Sequence, residues 1–221
     1  MPSFPRSIFA SLCLLWLSLL VALPAQSQQE AARDTTAVAA PTVRAELLAM
    51  RTTDQAMRAE VTAFIQASEG QPDVWAFMSL KEQLDSLDTA HAARMREIID
   101  EHGWPGPPLV GEDGTEAAFL IVQHADLALQ QEALPLVRNA YENGALSGQA
   151  LALLTDRVRV GEGKPQRYGT QATVQQGELT VHPIADSAQV DQRRAMLGLP
   201  PLSAYIDTLR ATYMRHQGSD N

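Results

Sequence analysis

Residues 74–105, "VWAFMSLKEQLDSLDTAHAARMREIIDEHGWP", decide the class of fold. Their apolar face repeats at three- and four-residue steps, the spacing of one side of an α-helix. The residues on that face are Leu80, Leu84, Leu87, His91, Met95, Ile98 and His102. Gly103 and Pro105 are typical of a helix end. The stretch therefore predicts an amphipathic helix from Val74 to Glu101 that carries two histidines on its core-facing side.

The segments on either side carry the same pattern. Upstream, apolar residues predict a helix that begins near Pro41 and ends near Gly70, with Asp54 in the one gap of its apolar stripe. Downstream, helices are predicted over about 115–124, 127–143 and 147–161, with Asp126 and Ser147 as N-caps of the last two. Helices over about 187–196, capped by Asp186 or Ser187, and about 202–215 complete the series.

The period changes to two at residues 170–174 and 178–182, which flank "QQG" and predict a β-hairpin. An isolated hairpin is marginally stable in water, so it must pack on the helices. We therefore expect a mainly α fold: a single domain over 42–216, with six to seven helices and one small β-hairpin near 170–183.

The two ends of the chain differ from this domain. Residues 1–27, "MPSFPRSIFASLCLLWLSLLVALPAQS", have the basic start, apolar run and small-residue site of a secretory signal peptide. An uncleaved N-terminal anchor is the alternative, although the apolar run is short for a membrane span. We expect an exported protein, periplasmic or extracellular, without stable membrane insertion after cleavage. Residues 28–41 predict a flexible leader and 217–221 a disordered tail.

Composition excludes several classes of function. Cys13, in the signal segment, is the only cysteine, so disulfides and thiolate chemistry are not expected in the mature chain. The net charge of −9 disfavours nucleic acid and anionic lipid as partners. The sequence contains no P-loop, nucleophile elbow, dinucleotide fingerprint or HExxH motif. No cofactor is therefore predicted, and the oligomeric state stays open.

Polar residues occur at three places on or next to the predicted apolar helix faces. Asp54 would need a partner if buried, and Arg58 or Arg157 could supply one. His102 closes its helix, where it could cap carbonyls or act as a general acid. Gln123, His124 and Asp126 belong to "QHAD", which follows six apolar residues, and they predict either a buried polar network or part of a site.

The densest polar run is "KPQRYGTQ", residues 164–171, which follows a helix that carries Asp156 and Arg157. Arg157 could bind a carboxylate or phosphate in a two-pronged fashion, or pair with Asp156 to fix helix packing. The run supplies hydrogen-bonding groups that could orient a ligand or satisfy the turn: Gln166, Arg167, Tyr168 and Gln171.

A metal site is the least favoured reading of these residues. Asp88 and His91 form one i,i+3 pair, and His102, His124 and Asp126 supply another possible set. Neither has enough ligands at a fixed spacing, so no metal is predicted.

The ordered motifs resemble an uncharacterised bacterial family, a domain of unknown function. They are "DQAMR" (54–58), "HGWP" (102–105), "QHAD" (123–126), "LLTDRV" (153–158), "GKPQRYGTQ" (163–171) and "VDQRRAMLGLPPLSAY" (190–205). The resemblance covers about residues 42–207 and implies no activity. The family pattern has asparagine where this chain has His91.

From the residues, the leading hypothesis is a site for a small polar or anionic ligand with possible hydrolysis. His102 or His124 would move a proton, and Asp54, Gln123, Asp126, Asp156, Arg157, Gln166, Arg167, Tyr168 and Gln171 would hold the ligand. The rival hypothesis is a non-catalytic module that interacts with a protein or envelope component.

Overall fold

The computed structural model describes residues 40–68, 73–175 and 178–217. The predicted signal peptide and nearly all of the predicted leader and tail lie outside these residues. Seven α-helices occur in the described part: α1 (Ala40–Ala67), α2 (Val74–His102), α3 (Pro107–His124), α4 (Leu127–Glu142), α5 (Gly148–Gly161), α6 (Val190–Met196) and α7 (Leu202–Gln217). The hairpin strands are β1 (Ala172–Gln175) and β2 (Glu178–Val181), and a 3₁₀ turn spans Ser187–Gln189.

The prediction of a mainly α single domain with one small antiparallel hairpin is confirmed. Helix α3 lies at its centre, packed on α1, α2, α4 and α5. That position explains why "AAFLIV" is apolar on every side, since its residues are buried or half-buried. No helix in the described ranges is long and apolar enough to cross a membrane.

Helix α3 begins eight residues before the predicted Thr115. Gly106 precedes it, and Pro107 and Pro108 occupy first-turn positions where no backbone N–H is needed. Gly111 then interrupts the helix with a φ of 73°, which a residue with a side chain would resist. The predicted start near Thr115 was therefore wrong, because a first turn at 107–110 joins the main helix across a glycine kink.

The helix caps were predicted with mixed success. The Asp126 carboxylate accepts from the N–H of Leu129 at 2.8 Å, and the Ser147 hydroxyl accepts from Ala150 at 3.2 Å, as expected. Asp186 makes no capping bond and has a left-handed backbone with φ of 45°. Its side chain therefore does not begin α6.

The first hairpin strand begins two residues later than predicted. Ala172 pairs with Val181 and Gln175 with Glu178. The N–H groups of Thr170 and Gln171 are already bound to the side chains of Asp156 and Gln166. These two residues thus belong to the preceding loop.

Candidate functional site

A buried ionic network joins α1, α2 and the end of α3. The Arg58 guanidinium donates Nε to Asp54 Oδ1 at 3.0 Å and Nη2 to Asp88 Oδ1 at 2.6 Å. Asp54 is fully buried and also accepts from Gln55 at 2.8 Å. Of the two predicted partners for Asp54, the one within reach is therefore Arg58, one turn along the same helix.

His124 completes the network from the last turn of α3. Its Nδ1 lies 2.7 Å from Asp54 Oδ1 and 2.8 Å from Arg58 Nε. Nδ1 cannot donate to the carboxylate and accept from the guanidinium in one tautomer. Arg58 Nε already has Asp54 Oδ1 as an acceptor, so we assign the Nδ1 proton to the Asp54 bond. The lone pair of the neutral imidazole is then on Nε2.

The network holds Asp54 ionised and His124 neutral near pH 7. Burial raises the pKa of Asp54, but His124 and Arg58 outweigh it and bring the pKa to about 2. Burial lowers the pKa of His124 to about 4, against the Asp54 bond and with help from the charges of Arg58 and Arg157. Burial also raises the pKa of Asp88, although Arg58 opposes the shift.

A cleft of about 480 Å³ lies beside this network. Its walls come from α2, the α3–α4 junction, α5 and the loop before β1. The lining residues are Asp85, Asp88, Thr89, Ala92, His124, Ala125, Asp126, Leu127, Gln130, Arg157, Val160, Gly161 and Gln171. The cleft has a size typical of small-molecule sites.

The carboxylates in the cleft wall are each engaged by a basic residue. Asp88 binds Arg58 at 2.6 Å, Asp126 binds Arg96 at 2.8 Å, and Asp85 binds Lys81. These pairs offset part of the negative charge that the cleft would otherwise present to an anion, since the charge of Arg58 is shared between Asp88 and Asp54.

Arg157 is the arginine in this wall, and it projects from α5. Burial lowers its pKa to about 10, and repulsion from Arg58 acts in the same direction, while Tyr205 opposes it. The side chain therefore stays protonated at neutral pH but carries its charge in a poorly solvated position. A charged group in such a place interacts more strongly with a bound anion than an exposed one does.

Asp156 does not pair with Arg157. Its carboxylate accepts from the backbone N–H of Arg167 at 2.6 Å, Tyr168 at 3.0 Å and Thr170 at 2.9 Å. The Thr170 hydroxyl adds a fourth donor at 3.0 Å. Asp156 therefore fixes the loop 164–171 by accepting hydrogen bonds from its backbone, as an anion does when it is bound by a backbone nest.

The glutamines of the loop are used in the same way. Gln166 is fully buried and donates to the carbonyls of Gln171 at 3.0 Å and His182 at 2.7 Å. The side-chain oxygen Oε1 of Gln166 accepts from the backbone N–H of Gln171 at 2.8 Å. The Tyr168 carbonyl accepts from the buried Arg194 at 2.7 Å. Much of the polarity of "KPQRYGTQ" thus builds the junction between α5 and the hairpin.

The predicted site residues consequently do not all lie at the cleft. His124, Asp126, Arg157 and Gln171 line the cleft, and Asp54 lies directly behind His124. The others do not line it: His102, Gln123, Asp156, Gln166, Arg167 and Tyr168. No group of three or more potential metal ligands occurs within the described ranges.

Two residues of the ionic network and the cleft were not among the predicted ligand-binding residues. Asp88 had been considered only with His91 as a metal pair, yet it binds Arg58 across helices. Gln130 lines the cleft and braces the α3–α4 turn by donating to the Gln123 and Ala125 carbonyls. The sequence did contain a signal for Asp88. The buried Leu84 lies one turn before it on α2, so the periodicity places Asp88 beside the apolar face.

Gln123 is an exception to the general satisfaction of buried polar groups. It is 2% exposed, and both atoms of its amide have no hydrogen-bond partner among the described residues. The buried hydroxyl of Thr155 on α5 is also without one there. Such groups cost free energy unless water or a ligand satisfies them.

A model of the family of unknown function DUF6624 matches residues 41–216. The chain belongs to this family. The DUF6624 match runs from the first turn of α1 to the last turn of α7, so it includes both the network and the cleft. It also confirms the resemblance to an uncharacterised family. No curated protein and no solved structure matches the chain.

Proposed function

We propose that the cleft binds a small anionic molecule, with its negative group at Arg157 and a polar group at His124. The observation that carries the proposal is the composition of the cleft wall. Its three carboxylates are each bound to a basic residue, while a protonated arginine and a neutral imidazole line the same space. A cleft so constituted favours an anion with hydrogen-bonding groups.

Arg157 suits the carboxylate or phosphate end of such a ligand. The guanidinium fork binds these groups through two parallel hydrogen bonds. Its position beside Arg58 is electrostatically unfavourable, since burial and then the charge of Arg58 lower the pKa of Arg157. A bound anion would relieve that repulsion, which adds to its binding free energy.

We further propose that any hydrolysis is activated by the ligand. A base with a pKa of about 4 is in the correct neutral form near pH 7 but is too weak for efficient proton abstraction. Burial is the largest cause of that low pKa, and the charge of Arg157 is a smaller one that a bound anion would offset. His124 would then become a stronger base, with Asp54 holding its Nδ1 proton.

We place this activity outside the cytoplasm, because residues 1–27 have the pattern of a signal peptide. N-terminal sequencing of the protein from a bacterial periplasm checks this proposal. A mature N-terminus near Gln28 supports export, and an intact cytoplasmic chain overturns it.

The non-catalytic interaction module keeps one observation in its favour. The start of α2 exposes apolar side chains: Trp75 is 81% exposed and Met78 56% exposed. Exposed aromatic residues of this kind are enriched in protein interfaces. Loss of partner binding in Trp75→Ser, with small-molecule binding unchanged, would favour that function.

A thermal-shift screen of small carboxylates and phosphates tests the ligand proposal. Compounds that stabilise the wild type should lose most of that effect in Arg157→Gln and keep it in Arg138→Gln, which alters an exposed arginine on α4. Without ligand, Arg157→Gln should melt close to the wild type. A large loss of stability would instead return Arg157 to a structural role, and equal responses in both variants would contradict the proposed cleft.

A further inference from the structure

A second cleft of about 410 Å³ lies between the loop 164–171, the 3₁₀ turn and α6. It shares no lining residue with the first cleft. Its wall is formed by Arg159, Arg167, Ala185, Asp186, Gln189, Gln192, Arg193 and Met196. Three arginines and one aspartate give it an excess of two positive charges in a chain whose net charge is −9.

The three arginines have no carboxylate partner in this part of the chain. No guanidinium nitrogen of the three lies within 4 Å of a carboxylate oxygen of the described residues. Asp186 carries the acidic group of the wall, but it does not form an ion pair with them. The positive charge of the cleft is therefore offset only in part, by Asp186 in its wall and by Glu162, whose pKa is lowered chiefly by Lys164 and also by the charge of Arg159.

Two of the guanidiniums are fixed by backbone carbonyls. Arg193 donates Nε to Arg167 O at 2.9 Å and Nη2 to Ala185 O at 2.7 Å and Asp186 O at 3.1 Å. Arg159 donates Nε to Pro165 O at 2.7 Å. These bonds leave other N–H groups of each guanidinium unused by the described residues. Both guanidiniums are therefore held in place and still have hydrogen-bond donors for a ligand. Little side-chain entropy would be lost on binding.

Arg167 is positioned from its backbone. Its N–H is bound to Asp156 and its carbonyl to Arg193, while its exposed guanidinium lies 5.9 Å from the Tyr168 ring centre. The loop thus presents Arg167 beside two fixed arginines. Arg167 is the basic residue of the "QRYGTQ" motif and does not line the first cleft. It lines the second cleft instead.

We propose that this second cleft binds a phosphate group of a small phosphorylated molecule. A phosphate monoester carries a charge of about −1.5 to −2 at neutral pH, which matches the excess of two positive charges. Its oxygens can accept from several guanidinium forks at once, whereas a carboxylate offers one negative charge and two oxygens. The cleft has room for more than the phosphate alone.

Phenyl phosphate and benzoate are a matched pair of probes, since they share a ring and differ in the anionic group. Titration of the isotope-labelled full mature chain should shift the amide resonances of Gln192 and Arg193 with phenyl phosphate, and only weakly with benzoate. The affinity should fall as salt rises from about 0.05 to about 0.5 M. Benzoate binding as tightly, or no shift in the wild type, overturns the phosphate site.

The variants separate the two clefts and guard against misfolding. Arg167→Gln keeps both backbone bonds of residue 167 and should weaken phenyl phosphate binding by about tenfold or more. Arg157→Gln, in the first cleft, and Arg138→Gln, on α4, should leave these shifts and their midpoint unchanged. An equal affinity in Arg167→Gln and the wild type, or an equal loss in Arg138→Gln, contradicts the proposal.

Discussion

Acidification should destabilise the protein through His124 before it reaches the pKa range of the carboxylates. The pKa of His124 is 6.5 in an ordinary environment and about 4 in the fold, a difference of about 2.5 units. At roughly 1.4 kcal/mol per unit, this corresponds to about 3 kcal/mol of unfolding free energy.

The sign follows from proton uptake. Between pH 6.5 and 4 the unfolded chain binds a proton at His124 that the folded chain does not, so stability falls as the pH falls. Above pH 6.5 both states are neutral, and below pH 4 both are protonated and the loss is complete. Asp54, with a folded pKa of about 2 against 3.8, contributes its own loss only below that window.

Urea unfolding of the wild type and His124→Asn at several pH values measures this contribution. Asparagine can donate to Asp54 but does not titrate, so its stability should vary less between pH 7 and pH 4.5. His91→Asn is the comparison variant: burial also lowers the pKa of the half-buried His91, but less than that of His124, so this variant should change the pH dependence less than His124→Asn does. The same pH dependence in His124→Asn and the wild type would refute the reasoning.

Three further substitutions test the packing around the site. Arg58→Met should destabilise the protein by about 3 to 5 kcal/mol in urea unfolding, because it removes the cation from the fully buried Asp54 and the half-buried Asp88. Arg44→Met, at the exposed Arg44 and Asp113 pair, should have little effect, and equal losses would contradict the account. Gly169→Ala should lower the melting temperature more than Gly198→Ala. Both glycines have positive φ, but the new Cβ at 169 would lie 2.6 Å from Leu202 Cδ1, while the one at 198 meets nothing within 4 Å. Gln123→Met should raise the free energy of unfolding by about 1 kcal/mol by removing two buried polar atoms that have no partner among the described residues. A lower melting temperature in that variant would show that water or a ligand satisfies Gln123.

Local chemistry made most of the fold predictable. Asp126 and Ser147 begin helices because a side-chain oxygen three residues upstream satisfies an N–H, and this is visible in the sequence. The start of α3 was missed because its first turn and its kink depend on a proline pair and on Gly111. The delayed start of β1 was missed because Asp156 and Gln166 use the N–H groups of Thr170 and Gln171.

Some residues of the cleft wall and the network could be predicted from the sequence, but their arrangement could not. Periodicity placed Asp54 and His124 at buried positions, yet the bond between them joins residues 70 apart. The loop 164–171 shows the same limit. Its polarity indicated a site, but the contacts that divide it between a structural core and the Arg167 cleft are long-range.

The tautomer and pKa of His124 are the most direct test of the proposed cleft, and nitrogen NMR of the labelled imidazole measures both. The account predicts a neutral ring at pH 7 with the proton on Nδ1, and titration near pH 4. It also predicts a higher pKa after addition of an anion that stabilises the wild type but not Arg157→Gln. A proton on Nε2, or titration near pH 6.5 in the absence of ligand, would contradict the arrangement of Asp54, His124 and Arg157 proposed for this site.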